Sequence, residues 1–341
     1  MPELDPTRVI SGFRPTNDLT IGNHLGAVQP SVEIQNDPQN DLYVFVADLH
    51  SLTDSDARDI GPYRKGVVRD CMALGIDATR TTVFLQSDIS AEVCEVAYRI
   101  ASRISVKEIM RTPTLKEKME AAVRRHEVED DDVLQANLAL IEYPALMAAD
   151  IYAQQAPLVA VGEDQEPHLE LARRIASRFN KMYETDILIE PKILATESLR
   201  ILSLDGKSKM SKTNPNQALL LSDTPQEARK KIRRATTAGI GEFSGTPLES
   251  HFLVAMRTAQ TEAQRTELTA LRQAHEVDGR PVMGDFKELW GNITEELLVD
   301  FQQRRANITD AEVEKVLREG AEKARVNAQF VLNTMVEAMS F

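Results

Sequence analysis

Apolar positions fall first into short runs of strand length and then, beyond Thr224, into helical spacing alone. Arg8 to Phe13 is rich in β-branched and aromatic residues and predicts a buried strand. Leu42 to Ala47 and Thr82 to Gln86 predict two more, and Leu158 to Val161 and Leu199 to Leu204 two short ones. Between them, helical periodicity covers a segment ending at Gln39 that Asn36-Asp37-Pro38 stops, then Arg58 to Leu74, Ala91 to Ile104 and Tyr143 to Tyr152. A further helix runs from the turn Gly162 to Gln165 through Phe179. Strand and helix alternate, so the pattern predicts an α/β fold with a parallel sheet covered on both faces. Ligands should bind beyond the carboxyl ends of its strands, where Gly12 to Thr16, Asp48 to His50 and Gln86 fall. After Thr224 only helices are predicted: Ala228 to Ala235, Glu249 to Met256, Glu262 to Ala274, Asp285 to Arg305 and Asp310 to Met339. Two domains follow, an α/β domain over 1–215 and an all-helical domain over 216–341. The charged stretch over about 105–140 lacks apolar periodicity and reads as an insertion in the α/β domain, partly loop.

With 341 residues and 42% apolar composition, the chain can build two cores. No apolar run approaches the ~20 residues of a membrane span. The first residues, with Glu3 and Asp5, have no signal-peptide pattern. Cys71 and Cys94 lie in amphipathic helical patterns and read as small hydrophobes rather than a bridge, and no Cys or His pair has zinc-ligand spacing. A cytoplasmic protein with no membrane partner and no protein-held metal is expected. The net charge of −13 argues against general nucleic-acid binding, DNA included, but leaves room for a specific RNA partner at the basic run Arg229 to Arg234.

Two stretches carry candidate chemistry. After the first predicted strand, Pro15 and Asn17-Asp18 make a turn, Thr20 is placed to cap a helix, and Gly22 and Gly26 lie one turn apart. A helix N-terminus with glycines on one face suits phosphates; it equally suits close packing of strand and helix. Lys209-Met210-Ser211-Lys212-Thr213 sets two lysines around a small hydroxyl in a loop of Gly, Ser, Asn and Pro. Such a loop is a phosphate clamp or a solvated surface loop. Together the stretches resemble the paired nucleotide signatures of class I aminoacyl-tRNA synthetases, with Thr20-Ile21-Gly22-Asn23 as the HIGH signature and Lys209 to Thr213 as KMSKS. Met147-Ala148-Ala149-Asp150 and Gly162-Glu163-Asp164-Gln165 resemble tryptophanyl-tRNA synthetases in particular, in order and spacing over nearly the whole chain.

The resemblance implies a Rossmann-like nucleotide-binding domain, ATP with Mg²⁺, L-tryptophan, tRNA(Trp) and a homodimer joined through the insertion. Arg14, Pro15, Thr16, Gly22 and Asn23 would line the ATP phosphates. Gly162, Glu163, Asp164 and Ile201 would hold ribose and adenine. Lys209, Met210, Ser211, Lys212 and Thr213 would form a mobile lid, with Lys209, Ser211, Lys212, Thr20 and Asn23 in catalytic roles. Asp150 interrupts an apolar helix, where a carboxylate is costly without a partner. An arginine would supply one; by resemblance the indole N–H of tryptophan does. Met147, Tyr143, His50 and Ile10 would border that ring, and Gln165 would meet the amino acid's polar end. The amino acid's carboxylate is itself the nucleophile, so catalysis reduces to positioning and charge stabilisation.

Two departures stand out: Arg14 where the family has Gln, and Asn17 where it has Gly. They keep open a non-catalytic tryptophan- or RNA-binding relative, against which Lys209, Ser211 and Lys212 weigh. A tyrosine-specific enzyme is disfavoured by Asp150 in its apolar helix. No inserted segment is large enough for an editing domain, and a single polar contact to the indole makes one unnecessary.

Overall fold

A computed structural model of the chain describes residues 6–15, 18–111, 138–194, 199, 201–212 and 214–340. The expectations for Thr16, Asn17, Thr213 and most of the 105–140 insertion lie outside the described residues. Strands β1 (Thr7–Phe13) and β2 (Asn40–Val46) pair in parallel, with Gly12 opposite Phe45. Strand β3 (Thr82–Leu85) adds outside β2, and β4 (Leu158–Val159) and β5 (Lys192–Ile193) extend the other side of β1. The order is β3-β2-β1-β4-β5, all parallel, as alternation of strand and helix predicts.

Strand alternation sorts the apolar residues into two cores. Val9, Leu42, Val44, Val46, Val83 and Leu85 face one; Ile10, Tyr43, Phe45, Ala47, Phe84 and Val159 face the other. The first core continues into the C-terminal helices, since Phe252, Trp290, Leu298 and Val313 belong to the same cluster.

The first helical run comprises α1 (Ile21–Asn23), a π-helical segment His24–Val28 and α2 (Gln29–Asn36), stopped before Pro38 as expected. Past β2 come α3 (Asp48–Ser51), α4 (Ala57–Ile60) and α5 (Arg64–Ala73). The single helix expected from Arg58 to Leu74 is broken by a 3₁₀ turn at Gly61–Tyr63, because Pro62 has no N–H to continue the ladder. Then follow α6 (Ser90–Ala101), α7 (Val106–Ile109), α8 (Leu138–Ala153) and α9 (Glu166–Tyr183).

Two expectations need correcting. Leu199 to Leu204 forms no strand among its described residues; Leu202 makes only an isolated bridge to Lys209. The fifth strand is instead Lys192–Ile193, too short for any alternation to reveal. Cys71 is buried as expected, but Cys94 is exposed, on the outer side of α6.

The C-terminal helices are α10 (Pro225–Arg234), α11 (Pro247–Thr258), α12 (Glu262–Glu276), α13 (Met283–Asn307) and α14 (Asp310–Ala338). Thr224 with Glu227, Thr261 with Gln264 and Thr309 with Glu312 close reciprocal capping boxes, satisfying first-turn N–H groups that would otherwise lack partners. The last helix returns to lie across edge strand β3, covering backbone that would be open to pairing. No described helix is long and apolar enough to cross a membrane.

Candidate functional site

A cavity of about 520 Å³ opens beyond the carboxyl ends of β1, β2 and β4, where a parallel sheet is expected to bind ligands. Its inner part is apolar. Ile10 and Gly12 come from β1, Phe45 and Ala47 from β2 and the residue after it, and Tyr143, Met147 and Ile151 from α8. Strand alternation puts the sheet residues on the α8 side, and helical spacing puts Tyr143, Met147 and Asp150 on one face of α8.

Asp150 is the carboxylate in that apolar wall, 5% exposed. Among the described residues no arginine partners it. His50 Nε2 lies 3.0 Å from its Oδ2, and the Gln86 amide donates to Oδ1 and Oδ2 at 2.9 and 2.8 Å. The same Gln86 accepts from the His50 backbone N–H at 3.2 Å, so one amide fixes both residues. Burial pushes the Asp150 carboxyl up from its ordinary value, and the bonds from His50 and Gln86 pull against that. Two partners leave an ionised carboxylate with accepting capacity to spare. Tyr143 meets the His50 ring edge-on at 6.3 Å, and its hydroxyl lies 2.8 Å from His168 Nε2.

The outer part of the cavity is charged. Arg14, Asp164, Gln165 and Lys209 line it. Arg14 is held by Asp54 through both carboxylate oxygens, one of them at 2.9 Å from Nη1, and its Nε reaches Ser51 Oγ at 3.4 Å. Burial lowers the Lys212 pKa, Arg14 nearby lowers it further, and Asp18 and Asp54 act in the opposite sense.

Ile10, Arg14, His50, Tyr143, Met147, Asp150, Gly162, Asp164, Gln165 and Lys209 are therefore brought to one cavity. The remaining expected residues that are described sit behind or beside it. Ile201 and Met210 are buried against Gly22, where an added Cβ would meet them at 3.6 and 3.5 Å. The face left bare by Gly22 thus seats the base of the lysine loop, while Gly26 lines the cavity. Thr20 and Asn23 cap each other: Thr20 N–H donates to Asn23 Oδ1 and Asn23 N–H to Thr20 Oγ1, both at 3.0 Å. The Ile21 N–H is bonded to Leu219 O at 2.9 Å, so this helix start holds fewer open donors than the sequence suggests. Pro15 is buried, and Glu163, Ser211 and Lys212 lie outside the lining. Phe45, Gln86, Asp54 and His168 have no sequence motif that marks them as site residues; only Gln86 carries a signal, its place at the end of β3.

In the helical part, Arg229 is engaged by Glu295 at 2.6 Å and Lys231 by Asp223 at 2.6 Å. Lys230, Arg233 and Arg234 are exposed, with no carboxylate partner among the described residues. Among the described residues no group of three or more His, Cys, Asp or Glu is placed to hold a metal ion.

A profile of the tRNA synthetases class I (W and Y) matches residues 3–299. The tryptophan–tRNA ligase of Treponema pallidum is 31% identical over 97% of this chain and 96% of its own length. That of Bacillus subtilis is 32% identical, covering 97% of each. Among solved structures, tryptophanyl-tRNA synthetase from Mycoplasma pneumoniae superposes with a TM-score of 0.82 at 29% identity over 98% of both chains. The Campylobacter jejuni enzyme complexed with ADP and tryptophan gives 0.80 at 25% identity, over 98% of this chain and 100% of that one.

Proposed function

The chain belongs to the class I tRNA synthetases of the W and Y family, and we infer that it is a tryptophan–tRNA ligase acting through the cavity described above. It activates L-tryptophan with ATP and passes the aminoacyl group to the 3′ end of tRNA(Trp). In the first step a tryptophan carboxylate oxygen bonds to the α-phosphorus of ATP and the bond to pyrophosphate breaks. In the second a ribose hydroxyl of the tRNA attacks the acyl carbon, and AMP leaves.

The observation that carries this reading is Asp150, a buried acceptor fixed by His50 and Gln86 in an otherwise apolar wall. A phenylalanine side chain offers no donor to the carboxylate's spare accepting capacity, so discrimination follows from one contact. The relatives of the same length that name tryptophan as substrate support this assignment. Gln165 is assigned to the amino acid's polar end, Gly162, Glu163, Asp164 and Ile201 to the nucleoside, and Arg14, Lys209, Ser211 and Lys212 to the phosphates. Thr20 and Asn23 hold the helix start in shape and act through it. Mg²⁺ would come with ATP and would supply charge stabilisation at the phosphates assigned to Arg14, Lys209 and Lys212.

The two-domain division at 215/216, with tRNA met by the helical part, belongs to the same proposal, as does a cytoplasmic location alongside translation. A homodimer is proposed through the 105–140 segment, whose Val106 and Leu138 are 61% and 66% exposed. The test is tryptophan-dependent ATP–pyrophosphate exchange without tRNA. Exchange supports the ligase; tryptophan binding without exchange overturns it in favour of a sensor.

A further inference from the structure

We propose that Phe45 is a specificity-determining residue: its ring, folded over Gly12, is the floor that gauges the benzo ring of the amino acid. This rests on the tryptophan reading of the cavity. Strand β2 turns Tyr43, Phe45 and Ala47 toward α8, and of these Phe45 and Ala47 reach the cavity. Parallel pairing sets Phe45 opposite Gly12. A Cβ at Gly12 would lie 2.8 Å from the ring Cζ and 2.9 Å from Cε1, closer than any side chain tolerates. The tip of the Phe45 ring therefore stands where a β1 side chain would otherwise be. A glycine inside a strand weakens it, and close approach is a reason to keep one.

Behind the ring, Phe84 stacks at a centroid distance of 5.9 Å and an interplanar angle of 25°, and is 2% exposed. Phe45 is thus blocked from retreating into the core. The opposite wall holds Met147, whose unbranched side chain adapts its shape. One wall yields and one does not, so the rigid one sets which ring outline fits. Asp150 reads the indole N–H, and Phe45 reads the outline of the benzo ring fused beside it.

The experiment measures ATP–pyrophosphate exchange by the full chain and its Phe45→Leu and Phe45→Ala variants. Substrates are tryptophan and tryptophans methylated at each benzo-ring carbon in turn. A methyl group in an apolar pocket shifts discrimination by roughly 10- to 200-fold. Phe45→Ala should therefore raise kcat/KM for at least one methylated substrate, relative to tryptophan, by roughly tenfold or more. The change should come through the amino-acid KM, with the KM for ATP unmoved, and Phe45→Leu should act in the same direction but less. Phe45→Leu keeps the core filled and carries the test if the alanine variant fails to fold. Ratios within twofold of the unmutated chain overturn the role of Phe45 alone. A wild-type chain with no tryptophan-dependent exchange overturns the reading beneath it.

Discussion

The guanidinium of Arg14 closes on both carboxylate oxygens of Asp54 at the charged mouth of the cavity. The two side chains are 44% and 37% exposed, so the pair contributes only about 0–1 kcal/mol. That is cheap to exchange for a phosphate, which matches the same planar fork. Arg14→Gln keeps a donor but loses the charge, and losing a charge-assisted bond costs roughly tenfold in affinity. The KM for ATP should rise by about that factor at saturating tryptophan. Asp54→Asn should lower it, and the double variant should match Arg14→Gln. An Asp54→Asn variant whose KM rises as far as that of Arg14→Gln would make Asp54 a positioning partner rather than a competitor.

The basic run on α10 divides by partner. Arg229 and Lys231 are committed to Glu295 and Asp223, which leaves Lys230, Arg233 and Arg234 as the proposed contacts to tRNA phosphates. Neutralising those three should weaken tRNA binding and flatten the slope of log affinity against log salt, by up to about 0.7–0.9 for each phosphate no longer neutralised. Pyrophosphate exchange should be untouched. Arg229→Ala should disturb α10 against α13 and leave the salt slope alone. Filter binding across a salt series decides: an unchanged slope in the triple variant removes the run from the tRNA interface.

Acid should loosen the join between α11 and the lysine loop. His251 is fully buried, stacks on Trp290 at 5.0 Å, and its Nε2 sits 3.4 Å from Ser203 O. Burial lowers its pKa to about 4, and His24 is likewise lowered to about 4. An unfolded histidine titrates near 6.5. A folded-state value below the unfolded one means the stabilisation is complete above about pH 6.5 and disappears as pH falls toward about 4. His251→Gln should flatten the fall in melting temperature across that window without abolishing it, because His24 still titrates. Trp290 is the single tryptophan, so its fluorescence follows the transition directly. An identical pH slope in the variant would contradict this.

Periodicity revealed most of the α/β alternation because long buried strands such as β2 show continuous apolar runs. It failed at β5, where two residues between Glu190-Pro191 and Leu194 carry no period. Asp150 was conspicuous as a charge in an apolar helix, but its partners lie 100 and 64 positions away. Only the sheet's topology brings α3 and the end of β3 to α8. Thr20 and Asn23 stood out by their place in a motif, and Thr20 Oγ1 and Asn23 Oδ1 are engaged with each other across the helix start. Phe45 read as core, and half of that is true: its ring is stacked on Phe84 and also floors the cavity.

The most direct test is Asp150→Asn, assayed for adenylation with tryptophan and with phenylalanine and for melting temperature. Asparagine still offers an oxygen but no charge. A charge-assisted bond contributes roughly 1.5–3 kcal/mol against about 0.5–1.5 for a neutral one. The preference for tryptophan should therefore drop by roughly tenfold or more. Burial pushes the Asp150 carboxyl up while His50 and Gln86 hold both of its oxygens, so melting temperature reads any structural role separately from selectivity. A lower melting temperature with the tryptophan-to-phenylalanine ratio unchanged would contradict the account and make Asp150 a structural residue.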